Sequence, residues 1–267
     1  MASETRRRIR LTIQYDGAGF HGWQVQPGLR TVQGELESAL SRLADRPVTV
    51  TAAGRTDAGV HATGQVVGVE MPDRWTPAAL RKSLNAVLPG DLWAAAAESA
   101  PPTFHARYGA IARGYVYRIG TWESARSPFR RRWCWPVRDP LDRGILEETA
   151  ERVRGEHSFH GYARSGQPER GYRCTVHVAR WVDWPGGGLE FRIVANRFLH
   201  HMVRYLVGTM VDVARGRRPE GDVVALLDEG SGLETSPPAP AEGLFLARVY
   251  YTPNELNPEG PSHEDLP

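Results

Sequence analysis

The sequence predicts an α+β fold in which two similar halves share a mixed, mainly antiparallel sheet with helices packed on it. Residues 9–15 alternate apolar and polar side chains with the period of a strand. Residues 32–43 repeat apolar side chains at the spacing of a helix. A similar order of strand-like and helix-like segments returns after about residue 106. We therefore expect two α+β halves with a basic central cleft between them.

Strand, turn and helix signals follow one another through the first half. The first strand ends in a turn at Asp16, and Thr31 is a candidate N-cap for the first helix. Two further strands, 48–50 and 60–69, flank the segment AAGRTDAG. A second helix over 77–88 begins with a proline, which is well tolerated in a first helical turn. The first half is therefore predicted as strand, helix, two strands and helix.

The second half repeats a similar order of elements without a residue-level repeat. We expect an N-terminal half over 1–105, a C-terminal half over 106–252 and a mobile acidic tail over 253–267. The predicted strands of the second half are 114–122, 174–184, 189–195 and 243–251, and its predicted helices are 141–153 and 198–214.

The composition is that of a globular protein. The chain has 267 residues, of which 41% are hydrophobic and 24% charged, so it can bury a core without disulfides or a structural metal. Its two cysteines, Cys134 and Cys174, are too few for a disulfide scaffold. The first ten residues lack the apolar region of a signal peptide, and residues 198–214 are too short and polar to span a bilayer. We therefore expect a cytoplasmic protein with no membrane segment.

The charge is unevenly distributed along the chain. Residues 219–267 carry a net charge of −9, whereas residues 1–218 carry +11, and Lys82 is the single lysine. Arginine can bind a phosphate through two parallel hydrogen bonds and can stack on a base, which lysine cannot do. A genomic bias toward arginine codons is an alternative explanation of the arginine excess. It does not explain why the arginines cluster.

The densest group of arginines is the arginine segment, Arg126–Arg138. It contains five arginines, three aromatic residues and no acid, a combination that suits phosphate binding and stacking on bases. The alternative is a solvated loop whose tryptophans pack back into the core. Further arginines lie within 164–180 and 215–218. A spread of basic patches favours a long polyanion, and therefore a nucleic acid, over a small phosphate ester.

The segment GRTDAGVHATGQV, residues 54–66, contains the strongest candidate for catalysis. Gly54 and Gly59 allow a tight turn around Asp57, which would place this carboxylate at the tip of a loop between two strands. Arg55 is expected to form an ion pair with Asp57 and keep it anionic. The alternative is an ordinary turn in which the Asp57 side chain caps its own backbone.

Seven segments resemble the signature blocks of the bacterial tRNA pseudouridine synthase A family. They occur in the order of the family and extend from about residue 8 to residue 251, so chance agreement is not credible. The segments are YDGAGFHGWQVQ (15–26), TVQGELESAL (31–40), GRTDAGVHATGQV (54–66), LNAVLPGD (84–91), FHARYGAIARGYVYRI (104–119), NRFLHHMVRYLVGTMVDV (196–213) and APAEGL (239–244).

This resemblance implies the pseudouridine synthase fold and a specific reaction. The family isomerises uridine to pseudouridine at positions 38, 39 and 40 of tRNA, in the anticodon stem-loop, as a homodimer with no metal or organic cofactor. Asp57 takes the place of the essential aspartate. It would act either as a nucleophile that adds to the sugar or base, or as a base that removes a sugar proton to give a glycal.

The resemblance also assigns roles to other residues. Tyr115 would stack on the target base, Arg204 would pair with Asp57, and Arg55 would help to displace the base from its stack. The alternatives are a core tyrosine for Tyr115 and a snorkelling arginine for Arg204. The candidate catalytic residues are Asp57, Tyr115, Arg204 and Arg55, and the candidate substrate-binding residues are Arg55, Tyr115, Arg107, Arg113, Arg131 and Arg164.

One segment departs from the family pattern. In GEHSFHGYARSG, residues 155–166, Ser158 and Tyr162 stand where the family has Asp and Phe, a departure that weakens the case for a specific RNA contact from this loop, Arg164 included, but not the case for the chemistry. The histidine pairs in this loop and at 200–201 lack cysteine or carboxylate at ligand spacing, and we expect no metal.

Two other functions remain as alternatives. The first is a non-catalytic RNA-binding or RNA-chaperone protein in which Asp57 is only a turn residue. The second is a nucleoside hydrolase or glycosylase that cleaves the same N-glycosidic bond. Glycoside hydrolysis normally uses two carboxylates, whereas the Asp57 segment offers one.

Overall fold

The computed structural model describes residues 5–164 and 171–256. The first unit consists of the described residues within Met1–Ile111 and Leu246–Pro267, and the second unit is the described part of Ala112–Phe245. The predicted halves, 1–105 and 106–252, stay a prediction, because grouping by contact does not test independent folding. Of the predicted mobile tail, 257–267 lie outside the described residues, and Pro253–Leu256 form a short 3₁₀ helix.

The described residues form ten strands and five α-helices. The strands are β1 (Arg6–Tyr15), β2 (Thr51–Ala52), β3 (His61–Pro72), β4 (Leu92–Ser99), β5 (Ala112–Gly120), β6 (Trp135–Pro136), β7 (Gly155–Ser158), β8 (Arg173–Trp184), β9 (Gly188–Ala195) and β10 (Leu244–Tyr250). The helices are α1 (Val32–Ala44), α2 (Pro77–Val87), α3 (Arg143–Arg152), α4 (Met202–Ala214) and α5 (Asp222–Ala225).

In the first unit, β1 is a central strand that pairs antiparallel with both β3 and β4. The short β2 pairs antiparallel with β3, which also neighbours β10. The alternation predicted for β1 is present: Ile9, Leu11 and Ile13 are fully buried, because every second side chain faces the core. Helix α1 contributes Leu36 and Leu40 to the buried residues, as its helical spacing predicts.

In the second unit, β5, β9, β8 and β7 form consecutive antiparallel pairs, and β6 pairs parallel with β5. Helix α4 buries most of its length, including Met202, Leu206 and Met210. The predicted α+β class and the mixed, mainly antiparallel sheet are therefore confirmed. The basic central cleft stays a prediction.

The helix starts follow their capping residues. The Thr31 hydroxyl accepts a hydrogen bond from the backbone N–H of Gly34 at 3.3 Å, which confirms the predicted N-cap of α1. Thr76 and Asp142 cap α2 and α3 in the same way. Within residues 5–164 and 171–256, no helix has the length and apolar character that a bilayer crossing requires.

Two predicted elements are displaced. Residues 48–50 do not form a strand, because the N–H groups of Val48 and Val50 donate to side chains of α1 instead of a neighbouring strand. Pairing with β3 begins only at Thr51. The helix predicted over 198–214 begins at Met202, because His201 adopts a left-handed conformation with φ of 63°.

Candidate active site

Asp57 lies on a loop between two paired strands, as the sequence predicts. The Asp57 loop, residues 53–60, connects β2 to β3. Within it Thr56 is buried, Asp57 is half-buried and Arg55 is exposed. The backbone N–H of Val60 donates to the Asp57 carbonyl at 3.2 Å, which closes a turn. Gly59 has φ of 78°, a conformation that glycine adopts without strain.

The centre of the Asp57 loop is bound to the first strand and the segment that follows it. The hydroxyls of Tyr15 and Thr56 form a buried hydrogen bond of 2.8 Å, in which either can donate. The backbone N–H of Trp23 donates to the Thr56 carbonyl at 3.0 Å. The start of the loop is held by Gln65, whose Nε2 donates to the Gly54 carbonyl at 2.8 Å. The loop is therefore fixed on both sides of Arg55.

Two glycines allow the segment after β1 to approach the Asp57 loop closely. A Cβ atom on Gly17 would lie 2.1 Å from the Val60 carbonyl oxygen. A Cβ atom on Gly22 would lie 2.9 Å from the Thr56 carbonyl oxygen, and Gly22 also has φ of 89°. Any larger residue at either position would push the backbone apart. The two sequence segments YDGAGFHGWQVQ and GRTDAGVHATGQV are therefore neighbours in the structure.

An ion pair holds this segment from its other side. The Arg30 guanidinium donates to both carboxylate oxygens of Asp91, at 2.7 and 2.8 Å. The same guanidinium lies 4.1 Å from the centre of the Phe20 ring, and the N–H of Asp16 donates to the Asp91 carbonyl at 3.0 Å. The hydrogen bonds from Arg30 hold the pKa of the Asp91 carboxyl below its ordinary value. Asp16 itself caps a turn by accepting from the Ala18 N–H.

The expected ion pair between Arg55 and Asp57 is not formed. Arg55 is exposed, and it makes no hydrogen bond or ion pair with any residue that the structure describes. An exposed pair gains little in water, because the solvent screens the two charges. The sequence prediction was therefore wrong on this contact, and the Arg55 guanidinium is available to a ligand.

Tyr115 lies on β5 in the second unit. It is half-buried, and its ring meets the edge of the Phe198 ring with the ring centres 5.0 Å apart. Arg113 lies two residues earlier on the same strand face and donates to the Asn196 carbonyl at 3.3 Å. Tyr117, two residues later, is fully buried and donates to the Pro240 carbonyl at 2.8 Å. Burial raises the pKa of Tyr117 well above its ordinary value, so this tyrosine has a structural role.

Arg204 lies in α4 and is half-buried. Its Nε donates to the carbonyl of Ala239 at 2.7 Å, and the Ala239 N–H donates back to the Arg204 carbonyl at 2.9 Å. The APAEGL segment is thus held by Arg204 and, one residue later, by the Tyr117 hydroxyl. This paired contact differs from that of an arginine that only snorkels to solvent.

The arginine segment combines features of both sequence-based interpretations. Its tryptophans pack inward, as the alternative holds: Trp133 stacks on Phe245, and Trp135 meets the edge of Tyr117. Phe129, however, is 86% exposed, and the exposed guanidinium of Arg131 makes no hydrogen bond or ion pair with the described residues. The packed tryptophans therefore hold the segment in place, while the Phe129 ring and the Arg131 guanidinium are exposed to solvent.

The other candidate arginines differ in their surroundings. Arg107, in the first unit, is exposed with its guanidinium 5.7 Å from the ring of Tyr108. Arg164, in the second unit, is exposed and lines a polar cavity of about 470 Å³. In the same loop Tyr162 is fully buried and donates to the Val223 carbonyl. Arg170 lies outside the described residues.

The arginines at 215–218 do not form the expected basic patch. Arg215 and Arg217 both contact the carboxylate of Asp139, at 3.2 and 2.6 Å. Arg218 pairs with Asp222 at 2.8 Å. Nearby carboxylates therefore neutralise this group. The sequence does not reveal the contacts with Asp139, because Asp139 lies far from these arginines along the chain, whereas Asp222 is only four residues from Arg218.

The candidate residues are divided between the two units. Asp57, Arg55 and Arg107 lie in the first unit. The second unit contains Arg113, Tyr115, Arg131, Arg164 and Arg204. Sequence reasoning missed the residues that brace the Asp57 loop, among them Gln65, Thr56 and Tyr15. The single signal that could have identified them is that they lie inside two of the seven segments.

Comparison with known proteins extends over most of the chain. The family model for tRNA pseudouridine synthase matches residues 11–109 and 149–252, which include Asp57 and Arg204 but not Tyr115. The tRNA pseudouridine synthase A of Moorella thermoacetica is 41% identical over 91% of this chain and 99% of its own length. The tRNA pseudouridine synthase A of Geobacillus kaustophilus is 40% identical over 92% of this chain and 95% of its own length. That of Chlorobium luteolum is 41% identical over 92% of this chain and 96% of its own length. The resemblance seen in the seven segments is thereby confirmed, and this chain belongs to the tRNA pseudouridine synthase family, which is a family of isomerases.

Proposed function

We propose that the protein isomerises uridine to pseudouridine at positions 38, 39 and 40 in the anticodon stem-loop of tRNA. The observation that carries the proposal is Asp57, a half-buried carboxylate on a loop that neighbouring residues hold in place. The relatives named tRNA pseudouridine synthase A support the reaction and its tRNA substrate. The stem-loop positions follow from the resemblance of the seven segments to the family.

The reaction itself needs few groups from the protein. The bond between N1 of uracil and C1′ of the ribose breaks, the base rotates, and a new bond forms between C5 and C1′. The proton on C5 is lost and N1 gains a proton, so there is no net oxidation or reduction. Asp57 can serve as a nucleophile toward the sugar or base, or as the base that removes a sugar proton. A fixed loop favours either route, because it keeps the carboxylate in a reactive position.

The other candidate catalytic residues assist Asp57 in this proposal. Tyr115 stacks against the extruded uracil, which suits its half-buried ring beside Phe198. Arg204 forms an ion pair with Asp57. Arg55, which has no partner among the described residues, takes the place of the extruded base in the stem.

Exposed arginines bind the phosphates of tRNA in this proposal. Arg55, Arg107, Arg131 and Arg164 are exposed, and Arg113 is half-buried on β5. Arginine is suited to this role because its planar guanidinium binds phosphate oxygens in pairs. Phe129 beside Arg131 adds an exposed ring on which a base can stack.

The enzyme is proposed to act as a homodimer in the cytoplasm, so that one tRNA lies across the basic surfaces of both subunits. Both cysteines are buried and neither forms a disulfide, which is in keeping with a reducing compartment. Light scattering of the purified protein tests the dimer. A mass of one 29.7 kDa chain with full activity would overturn it.

Tritium release from C5-labelled uridine in an unmodified tRNA transcript tests the proposed function. The wild type should release tritium, and the modified positions should map to 38, 39 and 40. Asp57→Asn should reduce the rate by about 10²-fold or more, because it removes the nucleophile or base while keeping the shape of the side chain. The binding of tRNA by this variant should be preserved.

The alternatives give different results in the same assay. A non-catalytic RNA-binding protein releases no tritium from either form and binds tRNA equally with and without the Asp57 carboxylate. A nucleoside hydrolase releases free uracil, which an isomerase does not. Chromatography of the reaction products distinguishes these outcomes.

A further inference from the structure

The buried hydrogen bond between the Tyr15 and Thr56 hydroxyls lies one residue away from Asp57. The two oxygen atoms are 2.8 Å apart, and the residues are 5% and 6% exposed. Water is largely excluded from this contact, so the bond between the two hydroxyls is a buried one. The Tyr15 ring is itself packed against the rings of Phe20 and Trp23, with centres 6.4 and 6.3 Å away. The position of its hydroxyl is therefore fixed by the core.

The peptide groups on both sides of Asp57 are held by hydrogen bonds. The Thr56 carbonyl accepts from the Trp23 N–H at 3.0 Å, and this carbonyl shares one planar peptide group with the Asp57 N–H. The Asp57 carbonyl accepts from the Val60 N–H at 3.2 Å. With both planes held, the direction in which the Asp57 side chain leaves the backbone is set.

The Tyr15 hydroxyl completes this arrangement by fixing the Thr56 side chain. Thr56 is β-branched, so its χ1 angle has few favourable values, and the bond to Tyr15 selects one of them. Without that bond Thr56 could rotate or move away from β1. The peptide group that precedes Asp57 would move with it.

We propose that Tyr15 and Thr56 are positioning residues for Asp57 in the isomerisation. Neither touches the substrate. Their hydroxyl pair holds the peptide group before Asp57, and so keeps the carboxylate at the distance from the ribose and base that the reaction needs. The inference rests on the proposed function, because it assumes that Asp57 performs the chemistry.

A purely structural role for this bond would predict a loss of stability without a specific loss of rate. Loss of a buried hydrogen bond generally lowers stability, wherever it lies. Tyr162 provides a matched control, because it is a fully buried tyrosine whose hydroxyl donates one hydrogen bond of 2.8 Å, to the Val223 carbonyl in the second unit. Tyr162→Phe should therefore lose a similar amount of stability with no effect on the position of Asp57.

The experiment compares Tyr15→Phe, Thr56→Val, Thr56→Ser and Tyr162→Phe in the full-length enzyme. For each variant the single-turnover rate of tritium release, the Kd for the tRNA transcript and the melting temperature are measured. Tyr15→Phe and Thr56→Val should lower the rate about tenfold or more, because a displaced carboxylate reacts poorly, and should leave the Kd within about twofold of the wild type. Thr56→Ser keeps the hydroxyl and should restore most of the rate.

The double variant Tyr15→Phe/Thr56→Val should be no slower than the slower single variant, because one bond is lost in all three. The proposal is overturned if Tyr15→Phe slows the reaction no more than Tyr162→Phe, or if Thr56→Ser is as slow as Thr56→Val. A fully active Tyr15→Phe with an inactive Asp57→Asn overturns the positioning role alone. A wild type that releases no tritium overturns the proposed function as well.

Discussion

Arg30 and Asp91 form a bidentate ion pair, with Nη1 and Nη2 of the guanidinium 2.7 and 2.8 Å from the two carboxylate oxygens. The pair joins the end of the loop before α1 to the start of β4. Arg30 also lies over the Phe20 ring, and the Phe20 carbonyl accepts from the Gly59 N–H of the Asp57 loop at 3.4 Å. The ion pair therefore supports, through Phe20, the loop on which the proposed catalytic carboxylate lies.

The Arg30–Asp91 pair predicts a specific response to acid. The pKa of Asp91 is below its ordinary value of 3.8 in the folded protein, mainly because Arg30 donates hydrogen bonds to it. The stabilisation is therefore present above the unfolded-state pKa and is lost as the pH falls through the folded-state pKa. Both side chains are about one-third exposed, so Asp91→Asn should lower the free energy of unfolding by only about 1 kcal/mol near neutral pH.

Urea unfolding of the wild type and Asp91→Asn, measured from about pH 6 down to about pH 3, checks this prediction. The difference in the free energy of unfolding should shrink below about pH 4. Glu148→Gln is the matched control, because Glu148 pairs with Arg152 on an exposed helix face and should contribute little at any pH. A difference for Asp91→Asn that stays constant with pH would contradict the ion-pair explanation.

The close contact of Gly22 with the Asp57 loop predicts that a larger residue at this position lowers stability. Gly22→Ala would introduce a Cβ atom 2.9 Å from the Thr56 carbonyl oxygen at a residue with φ of 89°. Gly28 has φ of 73° but no atom within 4 Å of its would-be Cβ, so Gly28→Ala incurs the backbone strain alone. We expect Gly28→Ala to cost about 1 kcal/mol of stability and Gly22→Ala to cost about 2 kcal/mol or more.

The two glycine variants should also differ in activity. Gly22→Ala should slow tritium release, because the Thr56 carbonyl must move, whereas Gly28→Ala should release tritium at the wild-type rate. Chemical denaturation and the single-turnover assay measure the two effects. Equal stability losses in the two variants would show that the close approach to Thr56 has no energetic consequence.

The sequence predicted the elements whose signals are local. The alternation in β1 and the apolar spacing of α1 gave their positions to within a few residues. Strand β4, Leu92–Ser99, was not predicted, because its run of four alanines has low strand propensity and pairing with β1 determines its structure. The start of α4 was misplaced because the left-handed conformation of His201 has no sequence signal of its own.

The same distinction applies to the candidate site. The loop position of Asp57 follows from the glycines and strands around it, and the sequence predicts it. The partners Tyr15 and Thr56 lie 41 residues apart, and Arg30 and Asp91 lie 61 apart, so no spacing rule links them. The expected ion pair between Arg55 and Asp57 is not formed, although the two residues are only two positions apart. Closeness along the chain does not ensure an ion pair.

The exposed arginines predict how tRNA binding depends on salt. If Arg131 contacts a phosphate, Arg131→Ala should weaken binding and reduce the slope of log K against log salt concentration by about one. Arg143 is the matched control, because it already pairs with Glu147 and Asp183 at 2.9 and 2.6 Å. Filter binding at several salt concentrations checks both variants. An unchanged slope for Arg131→Ala would remove Arg131 from the tRNA-binding surface.

Two substitutions of Arg204 separate the effect of its positive charge from the effect of its hydrogen bond to Ala239. Arg204→Lys keeps the positive charge but has no donor at the Nε position that binds the Ala239 carbonyl, whereas Arg204→Gln keeps an amide donor at that position and loses the charge. If the proposed pairing with Asp57 depends on charge, Arg204→Lys should lower kcat about tenfold and Arg204→Gln about 10²-fold or more. A larger loss of rate and of melting temperature in Arg204→Lys than in Arg204→Gln would assign Arg204 to holding the APAEGL segment instead. Tritium release and thermal unfolding of the two variants measure both quantities, and the ratio of their rates separates the two roles of this side chain.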